Sequence, residues 1–200
     1  DIWKVLDVPD ILDSLWTDRP RIPVSPVITL DETDVGESRL QKLVWLRKFL
    51  MANEYDAILL SSLDEIAWLL NVRGNDIEYN PYVISYLYVS LDRAVWFVTK
   101  DSKEPPAQDT VDSFIELKAD GIEIAGYDDV FIGIADQDLQ NVRLAVDRSS
   151  LNEHLYMYVS GVFGAENIIA CTSPVALRKA VKNGVEIRSL REAYVEDGCA

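Results

Sequence analysis

Residues 83–98 read VISYLYVSLDRAVWFV, and this stretch gives the main indication of the fold class. Val83 to Val89 and Ala94 to Val98 are rich in β-branched and aromatic residues, which favour strands. The short polar turn between them, Ser-Leu-Asp-Arg, predicts that the two segments pair as an antiparallel hairpin. The sheet that contains them therefore has at least one antiparallel pair.

Helical and strand patterns alternate on both sides of this hairpin. Further strands are predicted at Asp56–Leu60, Ile122–Ile124, Arg143–Asp147 and Asn167–Cys171. Helices are predicted from Ser38, from Ser62, over 108–118, from Ser150 and from Ser173-Pro174 to about Asn183-Gly184. Three of them begin with the capping-box pattern, at Ser38 with Gln41, Ser62 with Glu65 and Ser150 with Glu153. The fold class is therefore α/β, with a mixed β-sheet flanked by helices.

The two ends of the chain differ from this pattern. Residues 1–37 contain four of the eight prolines and predict a linker with irregular structure. After Gly184 another helix is predicted, with an apolar stripe of Ile187, Leu190, Tyr194 and Val195. We expect a domain over 38–183, and the unpartnered stripe suggests that this chain is a segment of a longer protein.

Composition excludes several classes of function. The formal net charge of −15 argues against nucleic acid and anionic membranes, which need clustered Lys and Arg. The sequence has no apolar run long enough to span a membrane. Its two cysteines, Cys171 and Cys199, are expected to be free thiols in a reducing compartment, which points to the cytoplasm.

Catalytic patterns are absent. The single histidine, His154, is predicted on a helix surface and accompanies no nucleophile motif. Cys171 ends a strand and Cys199 lies near the last residue. The sequence contains no glycine-rich phosphate loop and no calcium-loop pattern. We therefore expect no catalytic residue and no metal site in this chain.

One polar loop stands out between two apolar segments, in the sequence LDEIAWLLNVRGNDIEYNP at 63–81. Asn71 and Gly74 suit left-handed backbone at a helix end and a turn. Arg73 could clamp the carboxylate of Asp76, which would make the loop purely structural, or that of a partner chain. On the functional alternative, Arg73, Asp76, Asn80 and Tyr82 would form a substrate rim or an interface.

The same stretch carries a family resemblance. The sequence LDEIAWLLNVRGNDI at 63–77, followed by Asn80-Pro81, resembles the middle domain of three-domain aminopeptidase P, the cytosolic Xaa-Pro aminopeptidases. LWTDRP at 15–20 is similar to the segment that leads into that domain. KAVKN at 179–183, with Glu186-Ile187 and REA at 191–193, is similar to the junction with the catalytic domain.

The resemblance implies a creatinase/prolidase-type N-terminal fold with a pita-bread catalytic domain after it. Residues 1–37 would then be a linker from a missing first domain, and 184–200 the first helix of the catalytic domain. That missing domain would bind two divalent metals, typically manganese, through two Asp, one His and two Glu. The implied partners are this catalytic domain, proline-containing peptides and a second copy in a homodimer. The fragment alone should be inactive.

A second interpretation needs no relative. The chain could be a free-standing interaction module whose acidic surface binds a basic partner. A third, a small autonomous hydrolase, would require this chain alone to cleave Xaa-Pro bonds.

Overall fold

A mixed six-stranded sheet forms the centre of the described chain. The computed structural model describes Leu12 and residues 15–99, 106–134 and 142–199. The strand order is β6-β5-β4-β2-β7-β8, with the hairpin β4–β5 and the pair β2–β4 antiparallel and the other neighbours parallel. The predicted α/β class with a mixed sheet is confirmed.

The described residues contain eight strands and eight α-helices. The strands are β1 Ile28–Thr29, β2 Ala57–Leu60, β3 Val72–Arg73, β4 Ser85–Ser90, β5 Ala94–Val98, β6 Glu123–Gly126, β7 Leu144–Val146 and β8 Ile168–Ala170. The α-helices are α1 Glu32–Val35, α2 Arg39–Ala52, α3 Leu63–Leu70, α4 Gln108–Ala119, α5 Val130–Gly133, α6 Glu153–Phe163, α7 Pro174–Ala180 and α8 Gly184–Cys199. Short 3₁₀ turns cover Tyr127–Asp129 and Ala165–Asn167.

Alternation along the strands builds two apolar cores, one on each face of the sheet. Ile58 and Leu60 of β2 face the core that contains α2, α3 and α4. Ala57 and Leu59 face the opposite core, which is covered by α5 and α6. Successive side chains of a strand point to opposite faces, so a short strand that is apolar throughout supplies both cores.

Of the three predicted capping boxes, only the one at Ser38 forms. There Ser38 Oγ accepts from the Gln41 N–H, and Gln41 Oε1 accepts from the Ser38 N–H. Ser62 precedes α3 without a side-chain cap, and the Glu65 carboxylate turns inward and accepts a hydrogen bond from Ser173. The box at Ser150 is wrong as well: Asn152 caps α6, and Glu153 pairs with Arg148.

The helix predicted from Ser173 ends earlier than expected. It stops at Ala180, and Asn183, expected as a helix stop, instead begins the next helix. The predicted helix after Gly184 is confirmed as α8, in which no residue is buried.

The segment before Ser38 contains more structure than the predicted irregular linker. β1 pairs with β3 in a separate two-stranded sheet, and Val27 is buried against the α2–α4 core. The Val27 N–H donates to Thr110 Oγ1 of α4, and Ser113 Oγ donates to the Val27 carbonyl. Residues 1–11, 13 and 14 of the predicted linker lie outside the described residues, and the domain boundary at Ser38 stays a prediction.

Candidate functional site: a cleft at the base of helix α8

A cleft of about 470 Å³ lies where α8 leaves the domain. It is lined by residues of α1, α2, α3, α7, α8, β3 and the 79–82 loop that surround the first turns of α8, and we call it the junction cleft. Its lining residues are Leu30, Asp34, Val35, Lys42, Asp64, Ala67, Trp68, Asn71, Arg73, Pro81, Tyr82, Lys179, Lys182, Glu186, Ser189, Leu190 and Ala193.

Lys42 forms the floor of the junction cleft and is 1% exposed. Its ammonium donates to the Trp68 carbonyl at 2.8 Å and to Asn71 Oδ1 at 2.6 Å. It also lies 4.1 Å from the centre of the Trp68 ring, within the range of a cation–π contact. Burial lowers the pKa of Lys42 to about 8, against the opposing charges of Glu186 and Glu37.

Asn71 holds this arrangement to the end of α3. It adopts the left-handed conformation that the sequence predicts, with φ 54°, and ends the helix. Its side chain accepts from Lys42 and donates to the Glu37 carbonyl at 3.0 Å. One amide therefore connects α2, α3 and the segment before α2.

The first turn of α8 is fixed by polar contacts. Asn183 Oδ1 accepts from the N–H groups of Val185 and Glu186, and Glu186 Oε2 accepts from the Asn183 N–H. Glu186 Oε1 also accepts from Trp68 Nε1 at 3.0 Å, which ties α8 to α3. This reciprocal pattern is a capping box with Asn as the N-cap residue.

Asn183 also ties α8 to α1. Its Nδ2 donates to the Val35 carbonyl at 2.7 Å, beside Gly36 with φ 74°. A Cβ at Gly36 would lie 2.5 Å from Asn183 Oδ1, so only glycine allows this approach.

Of the four residues predicted as a rim or interface, two line the junction cleft. Arg73 and Tyr82 line it, whereas Asp76 and Asn80 do not. Arg73 Nη1 donates to the carbonyls of Ala67 and Val72, at 3.1 and 2.8 Å. Burial lowers the pKa of Arg73, although the guanidinium remains charged.

The clamp of Arg73 on Asp76, one of the two alternatives that the sequence left open, does not form. Both Asp76 carboxylate oxygens are used elsewhere: one accepts from the backbone N–H and the hydroxyl of Ser25, the other from the Ile84 N–H. Asp76 therefore fastens the loop to the segment before β1. Asn80 is exposed, and its amide donates to the Glu78 carbonyl.

Sequence reasoning missed Lys42, Trp68, Asn183 and Glu186. Two signals were available. Lys42 occupies a position of α2 that the spacing of Leu43, Leu46 and Leu50 assigns to the buried side. Asn183 and Glu186 have capping-box spacing, which the reading of Asn183 as a helix stop obscured.

Residues considered for catalysis lie away from the junction cleft. His154 is exposed on α6, and its ring contacts Phe131 with 5.0 Å between ring centres. Cys171 and Cys199 are free thiols, as expected, and burial together with nearby Asp147 and Glu65 raises the pKa of Cys171. A raised pKa makes a thiol a poor nucleophile.

The fold and the junction cleft together define the class: a mixed α/β domain that ends in an anchored, exposed helix. A family model described as "Creatinase/Prolidase N-terminal domain" matches residues 18–186. The chain belongs to the creatinase/prolidase N-terminal domain family.

Individual relatives are consistent with this family. A probable Xaa-Pro aminopeptidase P of Laccaria bicolor is 30% identical over 197 residues, which are 96% of this chain and 29% of that protein. The crystal structure of the X-prolyl aminopeptidase from Caenorhabditis elegans, described as a cytosolic enzyme with a di-nuclear active site, is 29% identical. It has a TM-score of 0.78 and covers 92% of this chain and 29% of that chain.

A more distant relative shows the fold alone. The Xaa-Pro dipeptidase from Bacillus anthracis is 20% identical, with a TM-score of 0.56 over 78% of this chain and 39% of that chain. The chain thus spans about three tenths of the length of the curated relatives that it matches.

The described residues do not fit a di-nuclear metal centre. Within 15–99, 106–134 and 142–199, no three His, Cys, Asp or Glu side chains come together in a way that could hold a metal ion. Among the helices of these ranges, none combines the length and the apolar character that spanning a bilayer requires.

Proposed function

We propose that this chain is the non-catalytic middle domain of an aminopeptidase P, a metal-dependent hydrolase that removes the N-terminal residue from Xaa-Pro peptides. The observation that carries the proposal is the match of nearly the whole chain to about three tenths of each Xaa-Pro aminopeptidase. The relatives' remaining length has room for a catalytic domain. That domain would bind two divalent metals, which we propose are manganese.

In this proposal residues 1–37 lead from a first domain, 38–183 form the middle domain, and 184–200 begin the catalytic domain. The exposure of α8 supports the last assignment. Its apolar residues Ile187, Leu190, Tyr194 and Val195 are all exposed, although its first turn is firmly held. A helix with an exposed apolar face is typical of an element that packs against another unit.

We further propose that Arg73, Asp76, Asn80 and Tyr82 act as a substrate rim or as a dimer contact. The position of Arg73 and Tyr82 in the junction cleft supports a contact role for these two, and Asp76 supports the loop that presents them. The parent would be a cytoplasmic homodimer acting on proline-containing peptides.

The test compares this chain with the longer protein encoded by its gene. With manganese added, the longer protein is expected to cleave an Xaa-Pro peptide, and the 200-residue chain is expected to leave it intact. Cleavage by this chain alone would support the autonomous hydrolase. A reading frame that stops near Ala200 would favour the free-standing acidic module instead.

The rim is tested in the longer protein with Arg73→Ala. We expect a changed KM or a weaker dimer with unchanged metal content, measured by kinetics, sedimentation and metal analysis. Unchanged KM and sedimentation would reduce these residues to a scaffold.

A further inference from the structure

Arg73 has hydrogen-bonding capacity that the described chain does not use. Its Nη1 bonds two backbone carbonyls, and no described carboxylate lies within ion-pairing distance of its guanidinium. A guanidinium carries more N–H donors than these two carbonyls accept. Nε and Nη2 make no hydrogen bond to a described residue, and Arg73 lines the junction cleft.

The charges around Arg73 are locally unbalanced. Four basic side chains line the junction cleft, Lys42, Arg73, Lys179 and Lys182, against three acidic ones, Asp34, Asp64 and Glu186. In a chain of net charge −15, this is a local excess of positive charge.

The acidic side chains of the cleft are largely committed to other partners. Asp64 pairs with Lys179, and Glu186 accepts from Trp68 and from the Asn183 N–H. Glu186 is also the one carboxylate whose charge acts on both Lys42 and Arg73. A further carboxylate in the cleft would therefore meet Arg73, a desolvated cation that shares Glu186 with Lys42, while Lys42 has the charge of Glu37 as well.

We propose that the junction cleft binds a carboxylate: an Asp or Glu side chain of the segment that follows α8 in the longer protein forms an ion pair with Arg73, which then serves a contact within one molecule and not the dimer contact considered above. This inference rests on the proposed function, because it needs a parent protein that continues beyond α8. Arginine suits the role because its planar fork can hold both oxygens of one carboxylate.

The tether favours this occupant over a free peptide. Ser189, Leu190 and Ala193 of α8 form one wall of the cleft, so the helix that forms the wall also leads to the proposed segment. A covalently linked segment has a high effective concentration at a neighbouring site, whereas a free peptide must bind from solution. A partner copy or a free peptide are alternative occupants that the test separates.

The test is zero-length crosslinking of the longer protein carrying Arg73→Lys. A carbodiimide joins a lysine amine to a carboxylate only when the two are in contact. We expect mass spectrometry to find residue 73 joined to an Asp or Glu beyond position 200. The matched control is Arg143→Lys, at an exposed arginine that pairs with Glu54, and it should couple only within this domain.

Mixing labelled and unlabelled protein identifies the occupant. Crosslinks from residue 73 within one molecule support the inference. Crosslinks between molecules, or only to residues 1–200, overturn it.

A second measurement does not depend on crosslinking. In the longer protein, Arg73→Gln should raise the rate of proteolytic cleavage within α8 about tenfold, since a charge-assisted hydrogen bond contributes about that factor. Arg143→Gln should leave the rate nearly unchanged. Equal rates in the two variants would contradict the inference.

The activity of the same unmodified protein separates the two proposals. If the protein cleaves an Xaa-Pro peptide but residue 73 forms no crosslink beyond position 200, the carboxylate site is refuted and the proposed function stands. If the crosslink forms but the protein does not cleave the peptide, the proposed function is refuted and the carboxylate site stands.

Discussion

The central sheet and the junction cleft hold their elements in opposite ways. β5 of the sheet is buried along its whole length by apolar side chains, whereas α8 has no buried residue and is fixed by Asn183 and Glu186. Apolar burial stabilises without specifying a direction, and hydrogen bonds specify direction at a smaller net gain. The sheet therefore supplies most of the stability, and the junction fixes the orientation of α8.

Lys42 belongs to both regions. It extends from α2, whose leucines pack on the sheet, and its ammonium ends under Trp68 in the junction cleft. A buried cation whose direct contacts are neutral oxygens and a ring costs free energy to desolvate, and the charges of Glu186 and Glu37 offset only part of that cost. The buried ammonium at the junction therefore lowers the stability of the folded domain.

The largest effect is expected from breaking the sheet core with Phe97→Ala. Phe97 is 0% exposed and packs in the α5–α6 core, so its removal leaves a cavity. The free energy of unfolding should fall by about 3–5 kcal/mol, measured by urea denaturation. Ile132→Ala is the control, because Ile132 is 71% exposed, and it should change stability by less than about 0.5 kcal/mol. Similar losses in both variants would contradict the central role of the sheet core.

The next effect is a pH dependence that arises at Lys42. The folded-state pKa of about 8 lies below the ordinary value of 10.5, so between these values the unfolded chain binds more protons than the folded one. The desolvation penalty is therefore full below pH 8 and is relieved as the pH rises toward 10.5. Relative to Lys42→Met, the wild type should gain on the order of 3 kcal/mol of unfolding free energy across this window.

The measurement is a series of urea denaturation curves from pH 7.5 to about 10.5, a range set by that linkage. Leu43→Ala is the control because it removes no titrating group, and its difference from wild type should stay constant with pH. A constant difference for Lys42→Met would show that the buried ammonium costs nothing.

The smallest global effect is expected at the junction, with Asn183→Ala. The N-cap contribution of about 1 kcal/mol should be lost locally, so the amides of Val185 and Glu186 exchange several-fold faster. The global free energy of unfolding should change little, because α8 buries nothing. Amide hydrogen exchange and urea denaturation measure the two quantities.

Asn152→Ala sharpens this contrast. Asn152 caps α6 in the same way, but α6 packs on the sheet through Leu155 and Val159. Its loss should lower global stability by about 1 kcal/mol. Equal global losses for the two caps would mean that the junction is part of the cooperative core.

The strands were predictable because their signal is local. Apolar β-branched and aromatic runs identified the hairpin, and the alternation of strand and helix identified the class. The failures came from partners distant in sequence. Glu65 was expected to cap α3 three residues away, but it bonds Ser173, 108 residues later.

The candidate site follows the same rule. Arg73 and Tyr82 were found from the composition of one loop, and both line the junction cleft. The partner of Asp76 could not be found in this way, since Ser25 lies 51 residues earlier and nothing in the loop indicates it. β1 and β3 have two residues each, too few for any periodic pattern.

The contact between Val35 and Asn183 has a consequence for how the domain sits in a longer polypeptide. Val35 and Asn183 are 148 residues apart in sequence and share one hydrogen bond, so a domain with the proposed bounds of 38–183 would begin and end at the same place. Domains with adjacent entry and exit points can be inserted into, or removed from, a longer chain with little disturbance on either side. A substitution in the loop after α1 would therefore first change the direction in which α8 leaves the domain.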